Sequence, residues 1–375
     1  MPRVCWIDAH LEYRSPTTLH LLHALPHLRA AGWQVEIWCL RSDAPRDQAK
    51  HVFLPAPRWL GPLELLWFTL AVNFYGLWRR LRGDGLDAEV VHATCGVYFG
   101  ANLISVHFLN AVWLRKRLRL GFHSAREIAG FLLGVPSLFF ERLALRSPHL
   151  RKILAVSDAI AAETKKRSSA EIEVLPNSYD ETRFNAEART LHREATRAAL
   201  GLSPEETLFL FVSQGHYERK GLWLAVEALS RLREQGRRGL RLLIVGGAPR
   251  AVEALRGRLA EWALLAGMQR EVEKYYAAAD AFILPSHFEA NPLAAMEAAA
   301  VGLPLLLTPF HGSEMTLRDG INGFLLDYDP ARMSEQIARF LDDGLPPFAP
   351  GPCRGLNRRQ YAERLLAVYG DIWRG

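Results

Sequence analysis

Between Pro285 and Gly302 the chain reads PSHFEANPLAAMEAAAVG, and two carboxylates in it stand where they could meet a ligand. Pro292 suits the first turn of a helix and Asn291 its N-cap, which leaves Glu289 on the preceding loop and Glu297 within the helix. A helix N-terminus offers unpaired N–H groups and the positive end of a dipole, and so suits phosphate. Carboxylates beside it can accept hydrogen bonds from vicinal hydroxyls, as on a ribose or hexose. A second segment, Val212–Gly221 (VSQGHYERKG), follows a strand-like run and precedes a helical one. Gly215 and Gly221 permit tight turning and close backbone approach. Arg219 and Lys220 suit a pyrophosphate. Each feature also has an ordinary reading: dipole compensation for the glutamates, a solvated surface pair for Arg219 and Lys220.

Other residues say less. Gly246-Gly247 closes the run LRLLIV without forming a dinucleotide fingerprint, and no P-loop occurs, so neither a nicotinamide nor a nucleoside-triphosphate site is supported. His107 follows the run LISV and would project from the end of a strand. The 13 histidines form no HExxH, and no metal site is expected. Cys5, Cys39, Cys95 and Cys353 are scattered without a CxxC, which points to a reducing compartment.

These residues need elements to position them. Val4–Ile7, Val35–Leu40, Val90–His92, Leu103–His107 and Ile153–Val156 read as strands, with a helix at Thr17–Ala31. The rhythm restarts with strands at Leu208–Val212, Leu240–Val245, Ala281–Leu284 and Leu305–Leu307. Helices are expected over Leu222–Gln235, Arg250–Ala266, Pro292–Val301 and Arg358–Ile372, the last capped by Asn357. Residues 344–355 hold four Pro and three Gly and read as a loop. The expected fold is α/β, two parallel-sheet domains of Rossmann type, with ligands at the C-terminal ends of the strands. The expected domains are residues 1–185 and 186–356, with a last helix from about 357 packing back on the first.

Composition sets outer limits. The 375 residues are 49% hydrophobic and 23% charged, which excludes a disordered chain, a collagen, a coiled coil and a disulfide scaffold. The net charge of +6 lies entirely in residues 1–185, and residues 113–152 alone carry +7. That part should face something anionic. Trp113–Leu120 (WLRKRLRL) interleaves apolar and basic residues, and Trp67–Arg82 ends in WRRLR, patterns that can lie in a bilayer interface. No nucleic-acid-binding module is recognised. The N-terminus runs directly into a strand without a signal-peptide pattern. The longest apolar runs, Leu65–Trp78 and Ile128–Phe140, are too short to span a bilayer, and the second contains Pro136.

Taken in order, these segments resemble the family 4 retaining glycosyltransferases of the GT-B fold, two Rossmann-like domains facing each other across a cleft. Gly215–Gly221 resembles the family's Gly-…-Lys-Gly loop, and Leu242–Gly247 its next strand and turn. Gly267–Ser286 resembles its G…YYAAAD-strand-PS block. Glu289–Glu297 is its E-x7-E motif, followed by Gly302-Leu303-Pro304 and then by His311–Leu325. Val156–Thr164 and Val174–Phe184 resemble its hinge-side segments. The likeness is good over about residues 150–375 and weak before that.

The resemblance implies that Arg219 and Lys220 neutralise the donor pyrophosphate. It implies Glu297 on the ribose, Glu289 on the donor sugar, His107 near that sugar, and the backbone of Asn291, Pro292 and Leu293 on phosphate and sugar. Gly246 belongs to the donor site, and Gly267 and Met268 would lie near the base. Arg14, Ser15 and Pro16 are the acceptor-side candidates, in a loop where many members have Gly-Gly. His216 stands where many members have Arg, Asn291 where Phe is common, and Ser178 where Gly is common.

The implied activity is transfer of a hexose, with retention, from a nucleotide-diphospho-sugar to a lipid-linked or cell-envelope glycan such as lipopolysaccharide. UDP is the first expectation for the donor and GDP the second, with no metal or other cofactor. The enzyme is expected on the cytoplasmic face of the inner membrane, held through the basic residues 113–152, with no nucleic-acid partner. An epimerase or a phosphorylase on the same fold, or an inactive scaffold, are the alternatives.

Overall fold

Short, unbroken runs of Val, Ile, Leu and Phe are what a parallel sheet covered on both faces requires, and this chain builds two such sheets. The computed structural model describes residues 1–122, 125–343 and 355–374. It forms two compact units, Met1–Ser178 with Leu356–Gly375, and Tyr179–Gly355.

The N-terminal unit carries β1 (Arg3–Ile7), β2 (Gln34–Cys39), β3 (Lys50–Phe53), β4 (Val90–Thr94), β5 (Leu103–Val106), β6 (Lys152–Ala155) and β7 (Glu171–Val174). Their spatial order is β3-β2-β1-β4-β5-β6-β7, with every neighbouring pair parallel. Its helices are α1 (Leu19–Ala30), α2 (Glu64–Leu81), α3 (Asn110–Leu120), α4 (Ala125–Leu145) and α5 (Asp158–Lys165). The C-terminal unit has α6 (Ala186–Ala199), β8 (Thr207–Val212), α7 (Leu222–Glu234), β9 (Leu240–Val245), α8 (Pro249–Arg256) and β10 (Ala263–Gly267). It continues with α9 (Glu273–Ala278), β11 (Ala281–Leu284), α10 (Leu293–Val301), β12 (Leu305–Leu307), β13 (Gly323–Leu325) and α11 (Pro330–Asp343). Its sheet runs β10-β9-β8-β11-β12-β13, also parallel. Both orders start from a central strand, move outward and then reverse, the doubly wound plan that leaves a ligand site where the order reverses.

The last helix, α12 (Arg358–Arg374), returns to the N-terminal unit. Asn357 caps it: its Oδ1 accepts from Gln360 N at 2.8 Å, and Gln360 Oε1 accepts from Asn357 N at 3.1 Å. Tyr361, Leu365, Val368 and Tyr369 pack with Leu21, Leu25, Leu28 and Trp33 in one core. The C-terminal unit has its own core on β8, β9, β11 and β12.

Four features differ from the sequence reading. The split falls after Ser178, because the following segment is fastened to the C-terminal unit: Phe184 joins its core, and Arg183 Nη2 donates to Glu273 Oε2 at 2.5 Å. The expected helix over Arg250–Ala266 stops at Arg256, and Ala263–Gly267 is instead a strand beside β9. Helix α10 begins at Leu293, with Pro292 as the flanking residue rather than Asn291. Helix α4 continues through Pro136, and Glu127–Leu145 is long and apolar enough to cross a membrane by length and composition. Strands β5 and β6 pair from Leu103↔Lys152 to Val106↔Ala155, and α3, with 11 residues, is too short to cross and return. Both ends of the α3–α4 excursion are therefore held on one sheet, which fits a helix lying along a surface. The expected loop over 344–355 and Cys353 lie outside the described residues, apart from Gly355.

Candidate active site

The loops leaving β8, β9, β10 and β11 gather at the C-terminal edge of the second sheet, and two glycines let them touch. Gly221 has φ 72°, and a Cβ there would sit 1.9 Å from the Pro285 carbonyl oxygen. Gly246 has φ 99°, and its Cβ would sit 2.3 Å from Ser213 O. Any side chain at either position would push the loops apart.

That contact brings Arg219, Lys220 and Glu289 together. Arg219 O accepts from His287 N at 2.8 Å and from Ser286 Oγ at 3.1 Å. Arg219 Nη1 donates to Phe288 O at 2.6 Å and to Glu289 Oε1 at 2.8 Å. Glu289 Oε1 also accepts from Ser286 Oγ at 3.2 Å and lies 3.5 Å from Lys220 Nζ. The three charged side chains are 20%, 12% and 11% exposed, so they are largely dry yet still reachable. Two cations share one carboxylate, so the cluster carries an uncompensated positive charge. Arg219 spends its hydrogen bonds within the protein and orients Glu289, while Lys220 sits at a looser ion-pair distance.

Glu297 lies on α10. Its Oε2 accepts from Tyr276 Oη at 2.8 Å, and Tyr276 is itself wedged edge-on to Phe184 and against Phe282. Burial pushes the Glu297 carboxyl up to about 7, against the Tyr276 hydrogen bond and the charges of Arg183 and Lys220. The residue keeps partial surface exposure, and a ligand over it would finish its desolvation. Asn291 is buried, and α10 has no side-chain cap at its N-terminus. Gly267 ends β10, and Met268 beside it is 61% exposed. Desolvation in the loop, then the charges of Arg219 and Lys220, lower the His216 pKa. His216 stays at the surface as a neutral ring, so it does not replace the arginine common at that position in the family it resembles.

The other expected residues lie in the N-terminal unit. His107 follows β5, stacked on His20 with centroids 6.0 Å apart. Burial drives His107 down to about 4, opposed by a hydrogen bond with Asn177, so the ring is neutral at pH 7. Its Nδ1 has no partner among the described residues. Arg14 is on the surface, paired with Glu12 at 3.1 Å. Ser15 Oγ pairs with Thr17 at 2.9 Å, and Pro16 O with His20 Nε2 at 2.9 Å. Arg14 keeps most of its side chain exposed beyond its pair with Glu12.

Asp8 was not singled out from the sequence, although a carboxylate directly after the apolar run VCWI was a signal in view. It stands at the C-terminal end of β1, takes His10 N at 2.7 Å, and accepts from the Thr94 hydroxyl. Burial pushes it up to about 7. Beside it Cys95 holds φ 51°, a left-handed conformation costly for a side-chain-bearing residue. Ser286 and Tyr276, which hold Glu289 and Glu297, were also missed as partners. Among the described residues no three His, Cys, Asp or Glu side chains converge on a point that would hold a metal ion.

Comparison with known proteins agrees with this geometry. A family model described as Glycosyltransferase Family 4 matches residues 18–183, and one described as Glycosyl transferases group 1 matches residues 206–343. A D-inositol 3-phosphate glycosyltransferase of Xylanimonas cellulosilytica is 30% identical over 59% of this chain and 58% of its own length. The lipopolysaccharide glucosyltransferase WaaG of Escherichia coli is 29% identical over 52% of this chain and 55% of its own. The chain thus spans little more than half the length of these curated relatives. Among solved structures, WaaG superposes with a TM-score of 0.71 at 19% identity, over 99% of this chain and 96% of that one. Sucrose-phosphate synthase from Thermosynechococcus elongatus gives 0.68 at 20% identity, over 100% and 96%. These likenesses establish the GT-B fold. With one model covering the N-terminal unit and the other the C-terminal unit, the chain belongs to the group 1 glycosyltransferases.

Proposed function

We propose that this glycosyltransferase moves a hexose from a UDP-sugar to a lipid-linked or cell-envelope glycan, with retention and without a metal. The observation that carries the reading is the cluster of Arg219, Lys220 and Glu289 beside the N-terminal end of α10, with Glu297 on the same helix. A cluster with one excess positive charge suits a diphosphate. Glu289, held by Arg219 and Ser286, presents a carboxylate for sugar hydroxyls, and Glu297 one for a ribose. Solved structures of Anabaena HepE contain UDP with glucose, and UDP-glucose, which makes UDP the first base to test and GDP the second.

The reaction proceeds by front-face substitution. The bond from the anomeric carbon to the donor phosphate breaks, and a bond to the acceptor oxygen forms on the same face. The acceptor proton passes to the departing phosphate oxygen, and nucleoside diphosphate leaves. Protein groups position the reactants and stabilise the charge growing on the diphosphate. His107, neutral at pH 7, serves as a hydrogen-bonding wall rather than a cation. The N-terminal unit supplies the acceptor contacts, with Asp8 at the mouth of β1 as the carboxylate for an acceptor hydroxyl. Its basic residues around 113–152 hold the enzyme on the cytoplasmic face of an anionic membrane.

The test is a thermal-shift panel with UDP, GDP, ADP and their sugar conjugates. A ligand at 100 times its Kd adds about 2.7 kcal/mol, which moves the midpoint by several degrees. A shift with UDP or a UDP-sugar is expected, and Lys220→Ala should abolish it. With the donor so identified, Lys220→Ala should lower kcat/KM by about 10²–10³, with activity unchanged by EDTA and an α-linked product by NMR from an α-linked donor. Near-wild-type transfer by that variant would refute the diphosphate role of Lys220.

A further inference from the structure

The N-terminal unit contains an open groove of about 860 Å³ between α2 and the C-terminal half of α4. Phe74 and Leu77 form one wall, Phe139 and Leu143 the other, and Tyr98 and Phe99 contribute from the loop after β4. Four of these are well exposed: Phe74 72%, Phe139 61%, Leu77 55% and Leu143 41%. A soluble surface seldom leaves such a strip of large apolar side chains in water.

The groove is built rather than accidental. Asn73 on α2 donates to Val97 O at 2.8 Å and accepts from Phe99 N at 2.9 Å. Ser147, just past α4, donates to Phe99 O at 2.5 Å. Both walls are thus fastened to one loop, and the opening between them is preformed. Its charge is one-sided. Arg80, Arg142, Arg146 and His149 line it, and among the described residues no acidic one does. The three arginines are exposed, and Arg80 makes a 3.4 Å contact with His149. The nearby carboxylate on α4, Glu141, is buried and turned away onto the start of α3, at 2.6 Å from Asn110 N. The rest of α2 and α4 continues the apolar surface with Leu70, Leu81, Ile128 and Leu132, and Trp59 stands 82% exposed near the start of α2. An apolar channel with guanidinium groups at one end, set in a wider apolar surface with tryptophan, has the chemistry of a site at a bilayer interface.

We propose that this groove binds a single anionic phospholipid of the membrane, an acyl chain between α2 and α4 and the phosphate on Arg80, Arg142 and Arg146. This deepens the membrane association proposed above and rests on it. The occupant is a lipid rather than a partner helix because the arginines crowd one end of an otherwise apolar channel, as one headgroup on one chain requires. Its lining residues all belong to the N-terminal unit, and the site would make the enzyme selective for anionic bilayers.

Vesicle flotation with the full chain tests this, using phosphatidylcholine alone and phosphatidylcholine with phosphatidylglycerol. The variant R80Q/R142Q/R146Q is compared with R29Q/R46Q/K165Q, which removes the same charge from exposed positions outside both the groove and the basic segment 113–152. All six residues are exposed, and circular dichroism would confirm that both variants fold. Wild type should float with the anionic vesicles. The groove variant should bind about 100-fold more weakly, the sum expected for three basic residues at an anionic surface, and the control less than about tenfold. Monomeric dihexanoyl-phosphatidylglycerol should raise the melting temperature of wild type and the control but not of the groove variant, whereas glycerol phosphate alone should raise none. Wild type failing to float would overturn the membrane reading itself. Flotation lost equally in both triple variants, or kept in the groove variant, would overturn the groove and leave membrane association standing. The same melting shift from glycerol phosphate would show a phosphate site without a chain, and would also overturn the proposal.

Discussion

Asp8 and Glu297 are two largely buried carboxylates, one at the end of β1 and one on α10, each raised to about 7 chiefly by burial. Their ordinary values are 3.8 and 4.5, so folding opposes their ionisation. The sign follows. Below about 4 both states bind the proton, and the groups cost nothing. As pH rises toward 7 the unfolded chain releases its protons and the folded one keeps them, so stability falls across that window and is fully reduced above it. Asp8→Asn and Glu297→Gln should each flatten this fall. Each is expected to stabilise by about 1–3 kcal/mol at pH 8 and by nearly nothing at pH 4, read by urea denaturation at the two pH values. An equal effect at both would mean the carboxyls are solvated and their role is not electrostatic. Groups kept at such a cost are retained where they act on a ligand. The Gln variant of Glu297 should therefore be more stable and yet show a smaller melting shift with nucleotide.

Elements hold these residues through contacts distant in sequence, and α12 shows how. Its Tyr369 hydroxyl accepts from Trp6 Nε1 at 2.8 Å and pairs with His92 Nδ1 at 2.7 Å, while His92 Nε2 pairs with Ser105 Oγ at 2.7 Å. Burial drives His92 down to about 3, so the ring is neutral, with Tyr369 donating to Nδ1 and Nε2–H donating to Ser105. One hydroxyl from the C-terminus thus satisfies polar groups on β1 and β4 inside an apolar core. Tyr369→Phe should cost about 1–3 kcal/mol, the penalty of orphaned buried groups, measured by denaturant melts. The sequence foretold α12 and its Asn357 cap, because a cap and a helical period are local signals. It foretold β8, β9, β11 and β12 because buried parallel strands read as apolar runs. It did not foretell β10, since ALLAG is as good a helix end as a strand and only pairing with β9 decides. Nor did it foretell that α4 runs through Pro136. At the site, residue type and place along the chain made Arg219, Lys220, Glu289 and Glu297 candidates, and the family resemblance supplied their expected roles. Ser286, Tyr276 and Asp8 depend on which loops meet, and local spacing carries no record of that.

At the scale of the whole molecule, the N-terminal unit is made of two pieces of chain and the C-terminal unit of one. The two cores share no residue. Residues 356–375 contribute Tyr361, Ala362, Leu365, Val368, Tyr369 and Ile372 to the N-terminal core and none to the other. Removing them exposes the face of α1 that carries Leu21, Leu25 and Leu28, and unpairs Trp6 and His92. Leucine-sized losses from a core run to about 2–5 kcal/mol each, so several together exceed the stability of an ordinary domain. A chain ending at Gly355 should therefore lose the folded N-terminal unit and keep the C-terminal one. Calorimetry should show one of two transitions gone, and the surviving transition should still rise with the nucleotide that stabilises the full chain. Sugar transfer should be lost, because the carboxylate and histidine at the ends of β1 and β5 go with the missing unit. Loss of both transitions would mean that the C-terminal unit depends on the N-terminal one to fold, and the donor cluster would then be a property of the intact chain.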